Sequence, residues 1–405
     1  ELRYQLKLGL GAALFRAGHD GAPAFSAAAS IARAMARPDL LARVALELAG
    51  WPRLLRRGRT DNPAFYPLLA EALAALKRAG RVDLAQRARL SCALALNAPA
   101  ETTLGQQVAL ACRALELARQ SGDADVLHDA LVARLRLMGG ADGVRQRLAL
   151  SQELLALAES SRQPERVFEA RELCVQSAIA LGHMAQADRG ILECQRVARR
   201  LNLPRFSLQV LRFRIQRALG DGSFAEVQHL TQEAVAVRGR APASPNYLVS
   251  LYIWQSFERA WRGDRSWVER HVAALWPKIG QSQLLRAHIA ALCAALGRTA
   301  DARDCYGPLL EPSVLEDSAD DDWLLTLIWT AEAVVACGDR AAASLLYARL
   351  KPYAALNVTH VEWLVYFGAC ARWLGALAGL LAEHTAAAAH FEEALALNAS
   401  LGARP

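Results

Sequence analysis

Residues 373–398 read WLGALAGLLAEHTAAAAHFEEALALN, and the fold can be predicted from this one stretch. Apolar residues recur every third or fourth position before and after a short polar break, which is the spacing of one helix face. Leu374-Gly375 stands in the first half, and Ala387, Phe391 and Ala394 stand in the second. Small residues at a crossing let two helices approach closely, and a bulky residue fills the gap beside them. The stretch therefore predicts two antiparallel helices that pack as a pair.

A related arrangement occurs earlier in the chain, as a glycine, a small residue five positions later and a bulky residue four positions after that. The residues are Gly182, Ala187 and Ile191; Gly297, Ala302 and Tyr306; and Gly338, Ala343 and Tyr347. One helix pair cannot bury its own apolar face, so successive pairs have to stack on one another. We therefore predict an all-α fold of roughly nine to ten stacked pairs, which forms a single repeat domain over residues 1–405.

Prolines and glycines predict where these helices begin and end. Pro38, Pro164 and Pro204 stand where a first helical turn tolerates a residue without an N–H. A set of glycines follows apolar helical runs, where a left-handed residue commonly ends a helix. These glycines are Gly18, Gly182, Gly222, Gly263, Gly297 and Gly338. No sustained alternation of β-branched and polar residues interrupts the helical pattern, so no sheet layer is predicted.

The composition indicates a folded chain and argues against several classes of function. The chain is 53% hydrophobic and 21% charged, with a formal net charge of +7. No apolar run approaches the ~18 residues of a transmembrane helix, and no secretory signal opens the chain, so no membrane contact is predicted. The arginines are scattered one or two at a time. Because the densest group, at residues 53–59, is more typical of a solvated loop, no direct nucleic-acid binding is predicted.

The residues that could carry out chemistry are not arranged for it. The eight cysteines include no Cys-x-x-Cys pair, which is typical of small buried side chains in a reducing compartment, so we predict a cytoplasmic chain. The histidines stand singly, and the acidic residues 316–322 lack the spacing of a calcium loop. No Gly-x-Ser-x-Gly or His-Glu-x-x-His motif occurs. No catalytic residue, no metal and no cofactor is therefore predicted.

The paired helices resemble the tetratricopeptide repeat, which is marked by Leu-Gly in its first helix and Ala-x-x-x-Phe-x-x-Ala in its second. Leu374-Gly375 with Ala387, Phe391 and Ala394 matches these marks at the family's spacing. Partial matches are Gly338 with Ala343 and Tyr347, and Leu10-Gly11 with Phe25 and Ala28. The steps exceed the ~34 residues of the standard repeat. The resemblance implies a longer, degenerate variety that winds into a right-handed superhelix with a concave groove.

A more specific resemblance covers nearly the whole chain and is carried by residues 8–14, 37–42, 350–358 and 390–398. These stretches are similar to the helical-repeat region of bacterial STAND-type ATPase regulators, a group that includes LuxR/MalT-type transcription activators and related adenylate cyclases and kinases. In that group the repeats form a sensor arm that controls an ATPase switch. No phosphate-binding Gly-x-x-x-x-Gly-Lys-Ser/Thr loop occurs in the chain, which begins at Glu1 rather than Met. We interpret it as part of a longer protein with covalently linked nucleotide-binding and output domains.

The resemblance also implies which residues face the groove, counted back along each first helix from its turn glycine. They are Glu169, Glu172, Gln176, Gln209, Arg212, Gln216, Glu332 and Arg372. Trp254, Phe257 and Trp261 form a further candidate patch, because Trp254 and Trp261 lie two turns apart on one helix face. Each set has a simpler interpretation, a solvated face for the polar residues and an aromatic core between repeats for the patch.

These observations favour a non-catalytic sensor or protein-interaction arm that binds a protein partner or a small-molecule effector in the groove. Binding would shift the population between two curvatures of the superhelix, which requires a ligand to discriminate between them by about 1–3 kcal/mol. One alternative is a constitutive protein–protein scaffold without an effector. Another is an enzyme built as a helical toroid with a central acid–base site.

Overall fold

A computed structural model of the chain describes residues 1–16, 20–50, 65–79, 83–99, 102–138, 141–161, 163–238, 255–256, 259–260, 262–316, 322–360 and 365–402. The α-helices within these residues are α1 (Leu2–Arg16), α2 (Ala22–Ala34), α3 (Pro38–Gly50), α4 (Phe65–Arg78), α5 (Leu84–Leu96), α6 (Leu104–Ser121), α7 (Ala124–Arg136), α8 (Val144–Ser160), α9 (Pro164–Ala180), α10 (Met184–Leu201), α11 (Pro204–Gly220), α12 (Phe224–Arg238), α13 (Arg265–Leu275), α14 (Gln283–Ala295), α15 (Thr299–Tyr306), α16 (Pro312–Leu315), α17 (Trp323–Cys337), α18 (Arg340–Leu350), α19 (Ala371–Leu380) and α20 (His384–Ser400). Two strands, β1 (Asn357–His360) and β2 (Val365–Ala369), lie between α18 and α19. The predicted all-α class is confirmed.

Consecutive helices contact each other as pairs. The pairs with direct contacts are α1 with α2, α3 with α4, α5 with α6, α9 with α10, α11 with α12, α14 with α15, α17 with α18, and α19 with α20. Close approach depends on small residues: a Cβ added to Gly11 would lie 2.8 Å from the Phe25 ring, and one added to Gly375 would lie 2.8 Å from the Phe391 ring. These two glycine–phenylalanine contacts occur where the repeat pattern matches.

Helix ends follow the local sequence. Thr103 and Gln106 form a reciprocal capping box at the start of α6, and the Asp123 side chain accepts hydrogen bonds at the start of α7. The glycines predicted to end helices have positive φ wherever the structure describes them. They are Gly182, Gly222, Gly263, Gly297 and Gly338, and Gly18 lies outside the described residues. Turn chemistry therefore sets the lengths of the helices.

Contacts between Cα atoms divide the chain into two compact units. The first comprises residues 1–138 and 156–160, and the second comprises residues 139–155 and 161–405. In a repeat array each pair mainly contacts its neighbours, so a division by contacts alone does not define separately folding domains. The single repeat domain over residues 1–405 therefore stays a prediction.

Each unit has its own hydrophobic core. In the first unit, Phe25, Val44 and Leu69 are almost completely buried in one cluster that spans α1 to α5. In the second unit, the largest cluster is centred on α14 and α17 and includes Ile289 and Trp329. Most of α17 is buried, as expected for a helix whose one charged residue is Glu332.

The strands β1 and β2 form an antiparallel hairpin that the sequence analysis does not predict. Asn357 pairs with Ala369, and the register shifts between Val358 and Thr359. Val358, Thr359 and Phe367 are of the β-branched and aromatic types that favour strands, but the run is too short to show a clear alternation. The hairpin packs on the second unit's own helices, since β1 contacts α9 and α17 and β2 contacts α11 and α20. Stacking of successive pairs alone does not account for these contacts.

Candidate functional site

Three of the predicted groove residues lie on α9. Glu169 and Glu172 are half-buried, whereas Gln176 is only 4% exposed. The Nε2 atom of Gln176 donates to Oε1 of Glu172 over 3.1 Å, one helical turn away. The two side chains therefore form a polar pair that runs from a partly accessible position into the interior.

The next three predicted residues lie on α11 in a similar arrangement. Gln209 and Arg212 are half-buried, Nη1 of Arg212 donates to Oε1 of Gln209 over 3.0 Å, and Gln216 is only 3% exposed. Phe168 of α9 and Phe206 of α11 lie with ring centroids 4.7 Å apart, which joins the two helices directly. The structure thus brings the first helices of two successive pairs together, with a polar pair on each.

The last two polar residues of the set lie close to each other. Oε2 of Glu332 accepts a 2.8 Å hydrogen bond from Nε1 of Trp373, and Arg372 lies 4.0 Å from the other carboxylate oxygen. The Arg372 guanidinium also lies 4.8 Å from the centroid of the Trp373 ring. This network joins α17 to α19 at the surface of the second unit. The Arg372 and Glu332 side chains are 46% and 40% exposed, so the ion pair between them contributes little to stability.

The aromatic patch is outside what the structure describes. Trp254, Phe257 and Trp261 all lie outside the described residues. Three other tryptophans, Trp323, Trp329 and Trp373, are core residues and are each at most 3% exposed. That the polar residues and the aromatic patch line a binding groove stays a prediction.

The C-terminal part of the chain covers the end of α9. Nδ2 of Asn357 in β1 donates to the carbonyl oxygen of Ile179 over 3.1 Å, although 178 positions separate the two residues. Leu401 joins a buried cluster with Ile179 and Phe213. Sequence reasoning gave no sign of this contact, because nothing in the local pattern of β1 or α9 points to a partner so far along the chain.

A second surface, which the sequence analysis missed, lies in the first unit. A cleft of about 440 Å³ is lined by Asp20, Ala22, Pro23, Ser26, Ala29, Arg33, Leu48, Pro67, Leu68 and Glu71. Arg33 donates two hydrogen bonds of 2.7 Å to the Glu71 carboxylate, and they hold the pKa of that carboxyl below its usual value. The spacing of Ala22, Ser26 and Ala29 places small side chains on one face of α2, which is the sequence signal that could have indicated a cleft.

A buried polar cluster lies in the second unit. Nε2 of His288 lies 3.1 Å from Oγ of Ser256, and both residues are fully buried. The rings of His271 and Trp329 flank His288, with centroids 6.0 Å and 5.0 Å away. Burial, with a smaller effect of His271, lowers the pKa of His288 to about 3. The imidazole is therefore neutral at physiological pH and acts as a hydrogen-bonding core residue.

Groups that would hold a metal or cross a membrane are not found in the part of the chain that the structure describes. No three or more His, Cys, Asp or Glu side chains of these residues lie together as a metal site would require. None of the described helices is long and apolar enough to span a bilayer. All eight cysteines are described, and none is in a disulfide.

Comparisons with known proteins add little. No protein-family model matches the chain. No curated protein matches it either. Among solved structures, the chain is similar to one described as a circular tandem repeat protein with novel repeat topology and enhanced subunit contact surfaces. The two share 12% sequence identity over 98% of this chain and 95% of that chain, with a TM-score of 0.21. A TM-score this low carries no argument about fold or function.

Proposed function

We propose that the chain is a non-catalytic protein-recognition arm, and that it serves a bacterial regulator of the LuxR/MalT type in the cytoplasm. The observation that carries the proposal is the hydrogen-bonded polar pair on each of two neighbouring helices, Glu172 with Gln176 on α9 and Gln209 with Arg212 on α11. Repeat proteins commonly recognise partners with side chains that successive repeats present at a fixed spacing. Glu172 and Arg212 supply charges of opposite sign on neighbouring first helices, which suits a partner segment of mixed charge.

Charge reversal tests this proposal. A double variant, Glu172→Lys with Arg212→Glu, preserves the net charge of the chain but inverts the charges at the proposed surface. The binding partner used is a protein that the wild-type chain captures and that still binds the wild-type chain directly once it has been purified. We expect the double variant to bind this protein at least tenfold more weakly than the wild type does. The matched control is Glu165→Lys with Arg199→Glu, two exposed residues on α9 and α10. Equal binding by the two double variants would contradict the proposal.

A small-molecule effector is a second candidate ligand, and the cleft in the first unit favours it. Its volume of about 440 Å³ falls within the range of small-molecule sites, and the Arg33–Glu71 ion pair provides both a donor and an acceptor at its wall. Thermal-shift measurements against metabolites should show stabilisation of the wild type and none of the Arg33→Ala variant. A constitutive scaffold would not be stabilised by any of them.

A further inference from the structure

The face of α9 and α11 in the second unit already holds an extended segment of the same chain. β1 contacts α9, and β2 contacts α11. Asn357 is 2% exposed, and its Nδ2 atom donates to the Ile179 carbonyl. The Ile179 carbonyl lies in the last turn of α9 and also accepts a 3.0 Å hydrogen bond from the Gly182 amide, so Asn357 supplies it with a second donor. The contact therefore ties β1 to the C-terminal end of α9.

Gly182 leaves the space that this segment uses. Its φ is +76°, and a Cβ built on it would lie 3.3 Å from Nδ2 of Asn357. The same Cβ would lie 3.2 Å from Cδ2 of Leu401 and 3.3 Å from Cδ1 of Leu397. Such distances are tighter than ordinary van der Waals contacts. The absence of a side chain at Gly182 thus lets both Asn357 of β1 and the C-terminal end of α20 pack closely against the turn after α9.

Apolar burial accompanies the hydrogen bond. Leu401 is 2% exposed and lies in one cluster with Ile179, Met184 and Phe213. On the same two helices Gln176 and Gln216 are buried, whereas Glu172 and Arg212 are partly accessible. The α9–α11 face therefore combines apolar contact with a polar anchor for an extended chain.

Resting on the proposed protein-recognition function, we infer that the α9–α11 face is a binding surface for extended polypeptide and that the β-hairpin is its resident occupant. A partner segment that binds there is extended, carries a side-chain amide donor followed by a β-branched apolar residue, as Val358 follows Asn357, and has to displace β1. The resident strand has the advantage of covalent attachment, which gives it a high effective concentration. Loosening the resident strand should therefore open the surface to a segment added in trans.

Hydrogen exchange of the full chain tests whether the hairpin is held by this face. Leu401→Ala removes the apolar contact without altering the hairpin or α9, and Leu395→Ala, at an exposed position of α20, is the matched control. We expect amides of residues 357–359 and 367–369 to exchange at least tenfold faster in Leu401→Ala and unchanged in Leu395→Ala. An unchanged rate in Leu401→Ala, or an equal rise throughout residues 265–350, would overturn the inference.

A peptide in trans tests the binding surface itself. The probe is a fluorescently labelled peptide of residues 353–360 with blocked ends, YAALNVTH, and its matched control carries Asn357→Ala. By fluorescence anisotropy, the Leu401→Ala chain should bind the probe at least tenfold more tightly than the wild type does, and at least tenfold more tightly than it binds the control peptide. If the Leu401→Ala chain folds poorly, the Asn357→Ala chain replaces it in this assay. Asn357→Ala removes the hydrogen bond that holds β1 to α9, and we expect it to bind the two peptides as described for Leu401→Ala.

Failure of the probe to bind either loosened chain, or equal binding of the two peptides, would show that the face does not recognise extended polypeptide. The assay uses no partner protein, so such a failure would leave the charge-reversal experiment on Glu172 and Arg212 unaffected. Conversely, a chain without any protein partner could still bind the probe. The two proposals are therefore separable.

Discussion

Ala382 adopts the left-handed conformation after α19, with φ of +67°, at a position where several other helix pairs have glycine. An L-residue with a Cβ pays roughly 1–2 kcal/mol for that conformation. Replacement by glycine removes this strain, while the extra freedom of the unfolded chain offsets part of the gain. We expect Ala382→Gly to stabilise the protein by about 0.5–1 kcal/mol in urea unfolding. Ala396→Gly, inside α20, should instead destabilise it by about 1 kcal/mol.

His288 makes the stability of the second unit depend on pH. Its pKa is about 3 in the folded chain and about 6.5 in the unfolded chain. Below pH 6.5 the unfolded chain binds a proton that the folded chain does not, so this group's contribution to stability is lost as the pH falls towards 3. We expect a loss of about 2 kcal/mol between pH 7.5 and pH 5, measured by urea unfolding with tryptophan fluorescence.

His288→Gln provides the control for this pH dependence. Glutamine keeps a polar atom near the position of Nε2, within reach of Ser256, but does not titrate. The variant should be less stable than the wild type at pH 7.5, yet it should lose about 2 kcal/mol less on going to pH 5. An identical dependence on pH in both proteins would mean that His288 does not carry the effect.

At the scale of secondary-structure elements, the sequence predicted the helices better than it predicted their surroundings. Gly182, Gly297 and Gly338 were recognisable as turn residues because a left-handed φ favours glycine locally. The hairpin was missed, because a strand of four residues carries little periodic signal and β1 is stabilised by α9, far away in the sequence. The candidate groove could be proposed only by resemblance, since no local pattern shows which helix face a distant segment covers.

Two turn glycines with the same backbone conformation allow two effects of an alanine substitution to be measured separately. One is the strain of the left-handed backbone, and the other is crowding against side chains that lie far away in the sequence. Gly182 and Gly297 both have φ of +76°, but a Cβ on Gly297 would meet nothing within 4 Å. At either position, the left-handed conformation of an alanine lowers the stability of the fold by roughly 1–2 kcal/mol. At Gly182 the added methyl also lies 3.3 Å from Nδ2 of Asn357 and 3.2 Å from Cδ2 of Leu401, so these side chains have to move by a few tenths of an ångström. Overpacking of this kind costs up to about 1–3 kcal/mol. Urea unfolding should therefore show Gly182→Ala to be the less stable variant.

Equal stability of Gly182→Ala and Gly297→Ala would contradict this prediction. It would mean that Asn357 and Leu401 move aside without cost, and that the hairpin is only loosely seated on the turn after α9. The comparison is internal, because both substitutions add the same methyl group to the same kind of turn. It thus measures how firmly β1 and α20 are held there.

At the scale of the whole molecule, contacts between distant segments decide how cooperatively the second unit unfolds. A stack in which each pair contacts only its neighbours can unfold in parts. The hydrogen bond from Asn357 to Ile179 instead joins residues 178 positions apart, so α9 and the C-terminal helices of this unit support each other. Most tryptophans of the chain belong to this unit, so tryptophan fluorescence reports on it selectively.

Asn357→Ala should therefore broaden the unfolding transition as well as shift it. Without the anchor, parts of the second unit would unfold at different urea concentrations, which lowers the apparent m-value of the fluorescence transition. Asn398→Ala is the matched control, because Oδ1 of Asn398 accepts a hydrogen bond of 3.3 Å from the Ala369 amide, only 29 positions away. It should shift the midpoint but leave the m-value unchanged. Loss of m-value in both variants, or in neither, would show that the contact with Ile179 does not make the unit unfold as one.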